Sequence, residues 1–308
     1  MRTSVIRAPN FPHLPGCVAT LGNFDGVHLG HQKLLTVVQN EAKRRGLPSV
    51  VLSFCPHPRV VLQANIRHLA LQRLPQKLES LSRYGIDYLA FIRFNKALSQ
   101  VSATEFLERY LLNALGVRLL VIGADAAIGR GREARAADIE RLLSERGGEV
   151  VIVDDYTVKD DRVGSRAVRQ AVEVGDCERA AAFLGRSYAV CGRVSHGDKR
   201  GRQLGTPTLN LRPFRQLVPR SGVYCSKTRI GNEHHYSVTN VGVNPTFQGH
   251  ELRVETHVLG DFCREIYGER IEVFFHHYLR AEKRFPSREA LEVQIRLDIE
   301  DAQNFFQI

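Results

Sequence analysis

The chain has 308 residues, 43% of them hydrophobic, which is enough for about two domains with packed cores. It carries 43 Lys and Arg against 33 Asp and Glu, a formal net charge of +10, so an anionic partner is expected. The sequence contains neither a run of the roughly 20 apolar residues that a membrane span requires nor the apolar core of a signal peptide. These features exclude a fibre and a disordered tail, and they predict a cytoplasmic protein with no membrane partner.

The first part of the chain alternates short apolar runs with segments of helical period, which is typical of a parallel sheet flanked by helices. Ser102 and Glu105 form a capping box at the start of one of these helices. Ligands bind to such sheets at the carboxyl ends of the strands. The predicted strands are 17–21, 49–54, 87–94, 118–123 and 149–154, and the predicted helices are 27–45, 72–84, 102–115 and 136–146.

From about Gly185 the chain carries alternating strands without intervening helices, which favours an antiparallel barrel or sandwich. A final helix is predicted at 287–306, and it bears an apolar stripe suited to packing on the barrel. The domains are therefore predicted at 1–184 and 185–308. The predicted strands are 188–197, 222–230, 234–242, 251–259 and 269–279, and the stripe consists of Leu291, Ile295, Ile299, Ala302 and Phe306.

The six cysteines are scattered along the chain with no CxxC pair. This spacing lacks the clustering of a structural metal site and predicts reduced, mostly buried thiols.

A first candidate site lies at residues 22–31, where a buried strand turns into a helix. Backbone N–H groups at a helix start bind anions. His28 and His31 share one face of the first helical turn, so both rings could donate to one phosphate. Gly26 and Gly30 leave room for close approach of a nucleotide. A surface histidine pair is the alternative, and zinc is disfavoured because no third ligand lies nearby.

A second candidate site lies at residues 192–210. Its glycines permit a tight loop, and Lys199, Arg200 and Arg202 supply counter-charge for phosphates. Thr208 and Asn210 share one face if the segment is extended, and their oxygens suit a hard cation such as Mg²⁺. A basic hairpin on a small barrel is the alternative interpretation.

Two groups of motifs carry a family resemblance. LGNFDGVHLGHQKLL and SFCPHPRVVL resemble the landmarks of HxGH nucleotidyltransferases, most closely the bacterial bifunctional riboflavin kinase/FMN adenylyltransferases. GDKRGRQLGTPTLN and the segments 238–246 and 252–257 are similar to the riboflavin kinase landmarks of that family. The resemblance continues through essentially the whole chain.

The resemblance implies an α/β Rossmann-like HxGH nucleotidyltransferase domain followed by a small antiparallel β-barrel kinase domain with a C-terminal helix. It implies ATP-dependent phosphorylation of riboflavin to FMN in the second domain and adenylylation of FMN to FAD in the first. Mg²⁺ would accompany ATP, flavin would be substrate and product, and no nucleic acid would be bound.

The resemblance also implies roles for individual residues. His28 and His31 would stabilise charge on the ATP phosphates, and Glu255 would act as general base on the riboflavin 5′-hydroxyl. The remaining assignments are ATP or phosphate binding by Gly22, Phe24, Asp25, Gly30, Ser165, Arg169, Gly197, Lys199 and Arg202, flavin binding by Asp125 and Arg280, and metal binding by Thr208 and Asn210.

In its first half, the chain departs from the family pattern in two places. ADAAIG at 124–129 stands where DDFRFG is usual, so Ala126, Ala127 and Ile128 replace an aromatic-containing run. Gly164 and Arg166 stand where SSTxxR has a Ser and the Thr. Loss of an aromatic wall would weaken flavin binding by about 1 kcal/mol or more.

Three functions stay open on the sequence: a two-site enzyme, a kinase-only or retuned paralogue, and a flavin- or nucleic-acid-binding regulator without activity. The dispersed Lys and Arg residues and the retained Glu255 disfavour the regulator.

Overall fold

The computed structural model describes residues 3–63, 69–195, 207–213, 215–246, 249–260, 262 and 264–308. These residues form two compact units. The first unit consists of Met1–His68 and Leu74–Gly164, and the second consists of Leu69–Arg73 and Ser165–Ile308.

The first unit is built on a six-stranded parallel sheet in the order β1-β4-β3-β2-β5-β8. The five predicted strands are confirmed, and β1 adds a sixth at the sheet edge. The strands are β1 (Ser4–Arg7), β2 (Cys17–Leu21), β3 (Ser49–Cys55), β4 (Tyr88–Arg93), β5 (Val117–Gly123) and β8 (Glu149–Val153), with two short hairpins, β6 (Ala127–Ile128) with β7 (Ala134–Arg135) and β9 (Thr157–Val158) with β10 (Asp161–Arg162).

Helices cover both faces of this sheet, which is why its strands are apolar along their length. On β2, Val18 packs with α1 and α3, whereas Ala19 belongs to the core on the opposite face, which includes α5. The helices are α1 (Leu29–Arg45), α2 (Pro58–Leu62), α3 (Leu74–Arg83), α4 (Ala103–Phe106), which continues as a π-helix over Leu107–Asn113, and α5 (Ala136–Ser144), with 3₁₀ turns at Leu98–Gln100 and Arg130–Arg132.

The strand order places a topological switch point between β2 and β5. The chain adds β3 and β4 on one side of β2, and it adds β5 and β8 on the other side. Loops after β2 and β5 therefore flank one crevice at the carboxyl edge of the sheet, where ligands bind in this class of fold. The loop after β2 is the first candidate site.

The second unit contains a closed barrel of six antiparallel strands in the order β11-β12-β15-β14-β13-β16. The predicted barrel is confirmed, and β12 is a strand that periodicity did not indicate. The strands are β11 (Tyr188–Ser195), β12 (Thr208–Arg212), β13 (Gly222–Ile230), β14 (Glu233–Thr246), β15 (Gly249–Val258) and β16 (Arg270–Arg280).

In the described part of the second unit, three helices accompany the barrel: α6 (Ser165–Val174), α7 (Cys177–Leu184) and α8 (Arg288–Phe306). The apolar stripe predicted for α8 packs on the barrel, since Ala302 is fully buried against Val223 and Cys225 of β13. Helices α6 and α7 precede the predicted boundary at 184/185 yet belong to the second compact unit. The compact units therefore divide earlier than the domains predicted from sequence, and the 184/185 boundary stays a prediction.

Cys17, Cys55, Cys177, Cys191 and Cys225 carry free thiols, as predicted, and Cys263 lies outside the described residues. No helix in the described part of the chain is long and apolar enough to cross a membrane.

Candidate active sites

The loop between β2 and α1 has a strained backbone. Phe24 and Val27 have φ values of 47° and 42°, and Gly26 has a φ of 90°. The left-handed region is unfavourable for a β-branched residue such as Val27, and each such position costs on the order of 1–3 kcal/mol. The surrounding structure holds this geometry, because Phe24 and Val27 are each only 1% exposed. Strain of this kind concentrates at ligand sites.

His28 caps the N-terminus of α1, and this explains why the helix begins at Leu29 rather than at the predicted residue 27. Its Nδ1 accepts a hydrogen bond from the backbone N–H of His31 at 3.3 Å. A neutral imidazole that accepts at Nδ1 carries its proton at Nε2. The His28 ring is therefore oriented as a donor through Nε2.

The two predicted histidines lie together. The rings of His28 and His31 stack with centroids 3.6 Å apart, and Phe24 lies 4.7 Å from His31. A Cβ on Gly30 would lie 3.3 Å from the His28 ring, so glycine at this position permits the stacked arrangement. Burial, followed by repulsion from a protonated His28 and from Lys77, lowers the pKa of His31 well below its usual range. The free protein thus holds His31 neutral at pH 7.

Among the described residues, three buried polar atoms of this region have no hydrogen-bond partner: Thr20 Oγ1, Asn23 Oδ1 and His31 Nδ1. Leaving a buried polar group unpaired costs about 1–3 kcal/mol, so most such groups in proteins are satisfied. Their concentration at the end of β2 and the start of α1 indicates that a polar ligand completes this site. The sequence analysis did not identify Thr20 or Asn23.

Lys77 on α3 is a second participant that the sequence analysis missed. Its Nζ donates to the carbonyl oxygen of Asn23 at 2.7 Å, across 54 residues of chain. Burial lowers the pKa of Lys77, while the nearby Asp25 and Cys55 oppose that shift. A lone lysine on a helix carries no local signal, and only the folded structure brings it to the loop.

Three other residues predicted for the first site lie in two loops of the first unit, after β2 and after β5. Gly22 donates its N–H to the Leu52 carbonyl at 3.0 Å, and Asp25 is 6% exposed within the same loop. Asp125, predicted to bind flavin, follows β5 and pairs with Arg162 at 2.8 Å.

Ser165 and Arg169 lie on α6, in the second compact unit. Arg169 donates from Nη1 to the Leu69 carbonyl at 2.6 Å. The structure thus ties Arg169 to the segment Leu69–Arg73, and its binding of phosphate stays a prediction.

The barrel brings together three of the predicted kinase residues. Asn210 on β12 is the direct cross-strand partner of Glu255 on β15, and Thr208 lies two residues from Asn210 on the same side. Directly opposite residues project from the same face of a sheet. The alternate residues Leu211 and Val254 are buried, so Thr208, Asn210 and Glu255 share the outer face.

Two further residues extend this polar face. Asn240 on β14 is the partner of Glu255 on the other side of β15. The Nη1 of Arg253 lies 4.0 Å from Glu255 Oε1, which is a loose ion pair. A row of Asn210, Glu255 and Asn240 therefore crosses three adjacent strands. Gly197, Lys199 and Arg202 lie outside the described residues.

Arg280, predicted to bind flavin, makes a buried ion pair. Its Nε donates to Asp298 Oδ1 on α8 at 2.6 Å, and its Nη2 donates to the second carboxylate oxygen. The Arg280 and Asp298 side chains are only 17% and 6% exposed. This geometry gives Arg280 a structural function between the last strand and the last helix, while flavin binding by Arg280 stays a prediction.

The two halves of the chain match two protein families in succession. Residues 11–167 match the family model of FAD synthetase, and residues 184–306 match that of riboflavin kinase. With the fold, these two matches define the class of the protein: enzymes of flavin nucleotide synthesis that consist of two parts.

Full-length relatives specify the family further. The chain is 39% identical to the bifunctional riboflavin kinase/FMN adenylyltransferase of Listeria monocytogenes, over 94% of this chain and 92% of the relative. The proteins of that name from Haemophilus influenzae and Escherichia coli K12 are 38% and 36% identical, over 95% and 94% of this chain and 95% and 93% of theirs. The chain belongs to the bifunctional riboflavin kinase/FMN adenylyltransferase family.

A solved structure supports the fold of the whole chain. The crystal structure described as a macrolide-efflux protein from Streptococcus pneumoniae superposes with a TM-score of 0.90 at 31% identity. The match covers 97% of this chain and 99% of that one.

Proposed function

We propose that the chain makes FAD from riboflavin in two steps at two sites. In the barrel, the riboflavin 5′-oxygen attacks the γ-phosphorus of ATP, giving FMN and ADP. In the α/β unit, a phosphate oxygen of FMN attacks the α-phosphorus of a second ATP, giving FAD and pyrophosphate. Membership of the family and the arrangement of the predicted residues support this proposal.

At the first site, the residues act by positioning and electrostatics. The Nε2–H of His28 donates to a phosphate oxygen, with the ring held in place by the N-cap bond through Nδ1. The unpaired Thr20 Oγ1 and Asn23 Oδ1 take polar partners when ATP binds. No covalent intermediate is required, because the FMN phosphate is itself the nucleophile.

At the second site, Glu255 takes the proton of the 5′-hydroxyl as the phosphoryl group is transferred. Thr208 and Asn210 would hold Mg²⁺ with ATP, and their oxygens fit because both residues face outward on β12 beside Glu255. Bound Mg²⁺ would neutralise charge on the phosphates.

A kinase-only enzyme is the second candidate, motivated by the departures from the family pattern at Ala126, Ala127, Ile128 and Arg166. The packing of Ile128 favours the two-site enzyme. Ile128 is 6% exposed and joins the core next to Ala134 and Ile139, so this replacement is accommodated as a core residue of the hairpin.

The observation that carries the proposal is that each half of one chain brings its predicted catalytic residues together, His28 onto His31 and Glu255 opposite Asn210. The test is to incubate the purified chain with riboflavin, ATP and Mg²⁺ and to separate the products by chromatography. FAD is the expected product. Accumulation of FMN without FAD would support the kinase-only enzyme, and the absence of both products would overturn the proposal.

A further inference from the structure

We propose that Lys77 is a positioning residue for adenylyl transfer: its ammonium group holds the loop between β2 and α1 and places a positive charge beside His31 and Asp25. This inference rests on the proposed function of the first site. It adds a residue from α3, an element outside the motifs that define that site.

Lys77 is hydrogen-bonded directly to the loop between β2 and α1. Lys77 Nζ donates to the carbonyl oxygen of Asn23 at 2.7 Å, in the middle of the strained turn at 22–28. This is a charge-assisted hydrogen bond to a backbone group, and such bonds are roughly twice as strong as neutral ones. It fixes the chain one residue before Phe24, whose φ of 47° requires support from outside the loop.

The charge of Lys77 acts on titratable groups of the first site. The charged and titratable groups that face Lys77 are Asp25 in the loop, Cys55 at the end of β3 and His31 on α1. His28 in turn faces His31. The charge of Lys77 is one of the causes that lower the pKa of His31, so Lys77 helps to keep that ring neutral until a polyphosphate arrives.

Buried polar atoms without partners among the described residues lie close to Lys77. Asn23, whose carbonyl accepts from Lys77, has a buried Oδ1 with no hydrogen-bond partner in the described part of the chain, and the same holds for Nδ1 of His31. A cation fixed beside two unsatisfied polar groups fits a polyanionic ligand, since phosphate charge would offset the burial of the ammonium group. Lys77 therefore supports the residues that meet the phosphates.

The test compares Lys77→Met with Lys77→Arg in the full chain. Lys77→Met removes the hydrogen bond and the charge, and FAD formation from supplied FMN should fall on the order of 10- to 100-fold. Lys77→Arg should restore a substantial part of that loss. Lys33→Met is the matched control, since Lys33 on α1 also donates to a carbonyl, that of Asp154 at 3.1 Å, through an exposed hydrogen bond. It should retain the unaltered rate.

A histidine titration separates this role from a purely structural one. In Lys77→Met the pKa of His31, followed by NMR and assigned with His31→Gln, should move upward, and in Lys77→Arg it should stay depressed. FMN formation from riboflavin should be unchanged in both variants, which controls for the integrity of the barrel unit, and the melting temperature should show that the α/β unit stays folded. An unchanged His31 titration together with an unchanged FAD rate in Lys77→Met would overturn the inference. If the unaltered chain makes no FAD, the proposed function fails, and the titration still decides whether Lys77 acts on His31.

Discussion

Gly30 lies close to the His28 ring of the first site, so a larger residue there would press on that ring. Replacing Gly30 by Ala would place a methyl group 3.3 Å from Cε1 and Nδ1 of His28. Overpacking of this kind costs about 1–3 kcal/mol, and each 1.4 kcal/mol of transition-state stabilisation corresponds to about tenfold in rate. Gly30→Ala should therefore lower FAD formation about tenfold or more, as measured by product chromatography with supplied FMN.

The control for Gly30→Ala is FMN formation by the same variant protein. FMN formation from riboflavin depends on the barrel, and Gly30→Ala should leave it unchanged. Equal FAD rates for Gly30→Ala and the unaltered chain would show that the close approach of residue 30 to the His28 ring has no catalytic consequence.

His276 on β16 makes the barrel sensitive to acid. Burial, followed by the charge of Lys227, lowers its pKa to about 4, and its ring packs against Phe306. The unfolded chain binds a proton at this residue near pH 6.5 whereas the folded chain does not, so stability falls as the pH drops from about 6.5 to 4. Over that range the free energy of unfolding falls by roughly 1.4 kcal/mol per pH unit.

His276→Gln should remove this contribution. The free energy of unfolding, measured in urea at about pH 7 and about pH 5, should depend less on pH in the variant, by up to roughly 2 kcal/mol. Identical pH dependence in the variant and the unaltered chain would contradict a depressed pKa at His276.

At the level of single residues, the sequence indicated those whose signal is local. His28 and His31 share a helical turn, and Thr208 and Asn210 alternate along a strand, so spacing alone placed each pair on one face. Lys77 could not be found this way, because its contact with Asn23 spans 54 residues and depends on how α3 packs.

Among the elements, β16 and α8 are joined by a buried ion pair between Arg280 and Asp298. Asp298 is 4% exposed, so removal of Arg280 would leave a buried carboxylate without its cation. Breaking a buried pair in this way costs about 3–5 kcal/mol. Arg280→Met should therefore lower the melting temperature of the barrel unit, as measured by circular dichroism.

A second substitution tests the cause of that loss. Arg280→Met combined with Asp298→Leu removes both charges and should recover much of the stability. If Arg280 acts chiefly on flavin, as the resemblance implies, Arg280→Met would instead raise KM for riboflavin while leaving the melting temperature unaltered.

The elements that the sequence predicted best are those buried on both faces. Strands β2, β3 and β5 are near-continuous apolar runs, and their predicted bounds differ from the observed ones by at most one residue. Strand β1 has four residues at the sheet edge, and β12 turns Thr208 and Asn210 outward, so neither gives a strong apolar pattern. The order of strands around the barrel follows from long-range pairing, which periodicity does not encode.

On the scale of the whole molecule, the net charge of +10 initially left the anionic partner open. The two proposed sites would account for part of that expectation, one on the parallel sheet of the first unit and one on the outer face of the barrel. If the sites act independently, each catalytic substitution should abolish one reaction and spare the other.

Product chromatography of two variants tests this claim most directly. His28→Ala, given riboflavin, ATP and Mg²⁺, should convert riboflavin to FMN at the unaltered rate and form no FAD. Glu255→Gln should form no FMN from riboflavin and should convert supplied FMN to FAD at the unaltered rate. Undiminished FAD formation by His28→Ala, or undiminished FMN formation by Glu255→Gln, would contradict the assignment of the two sites.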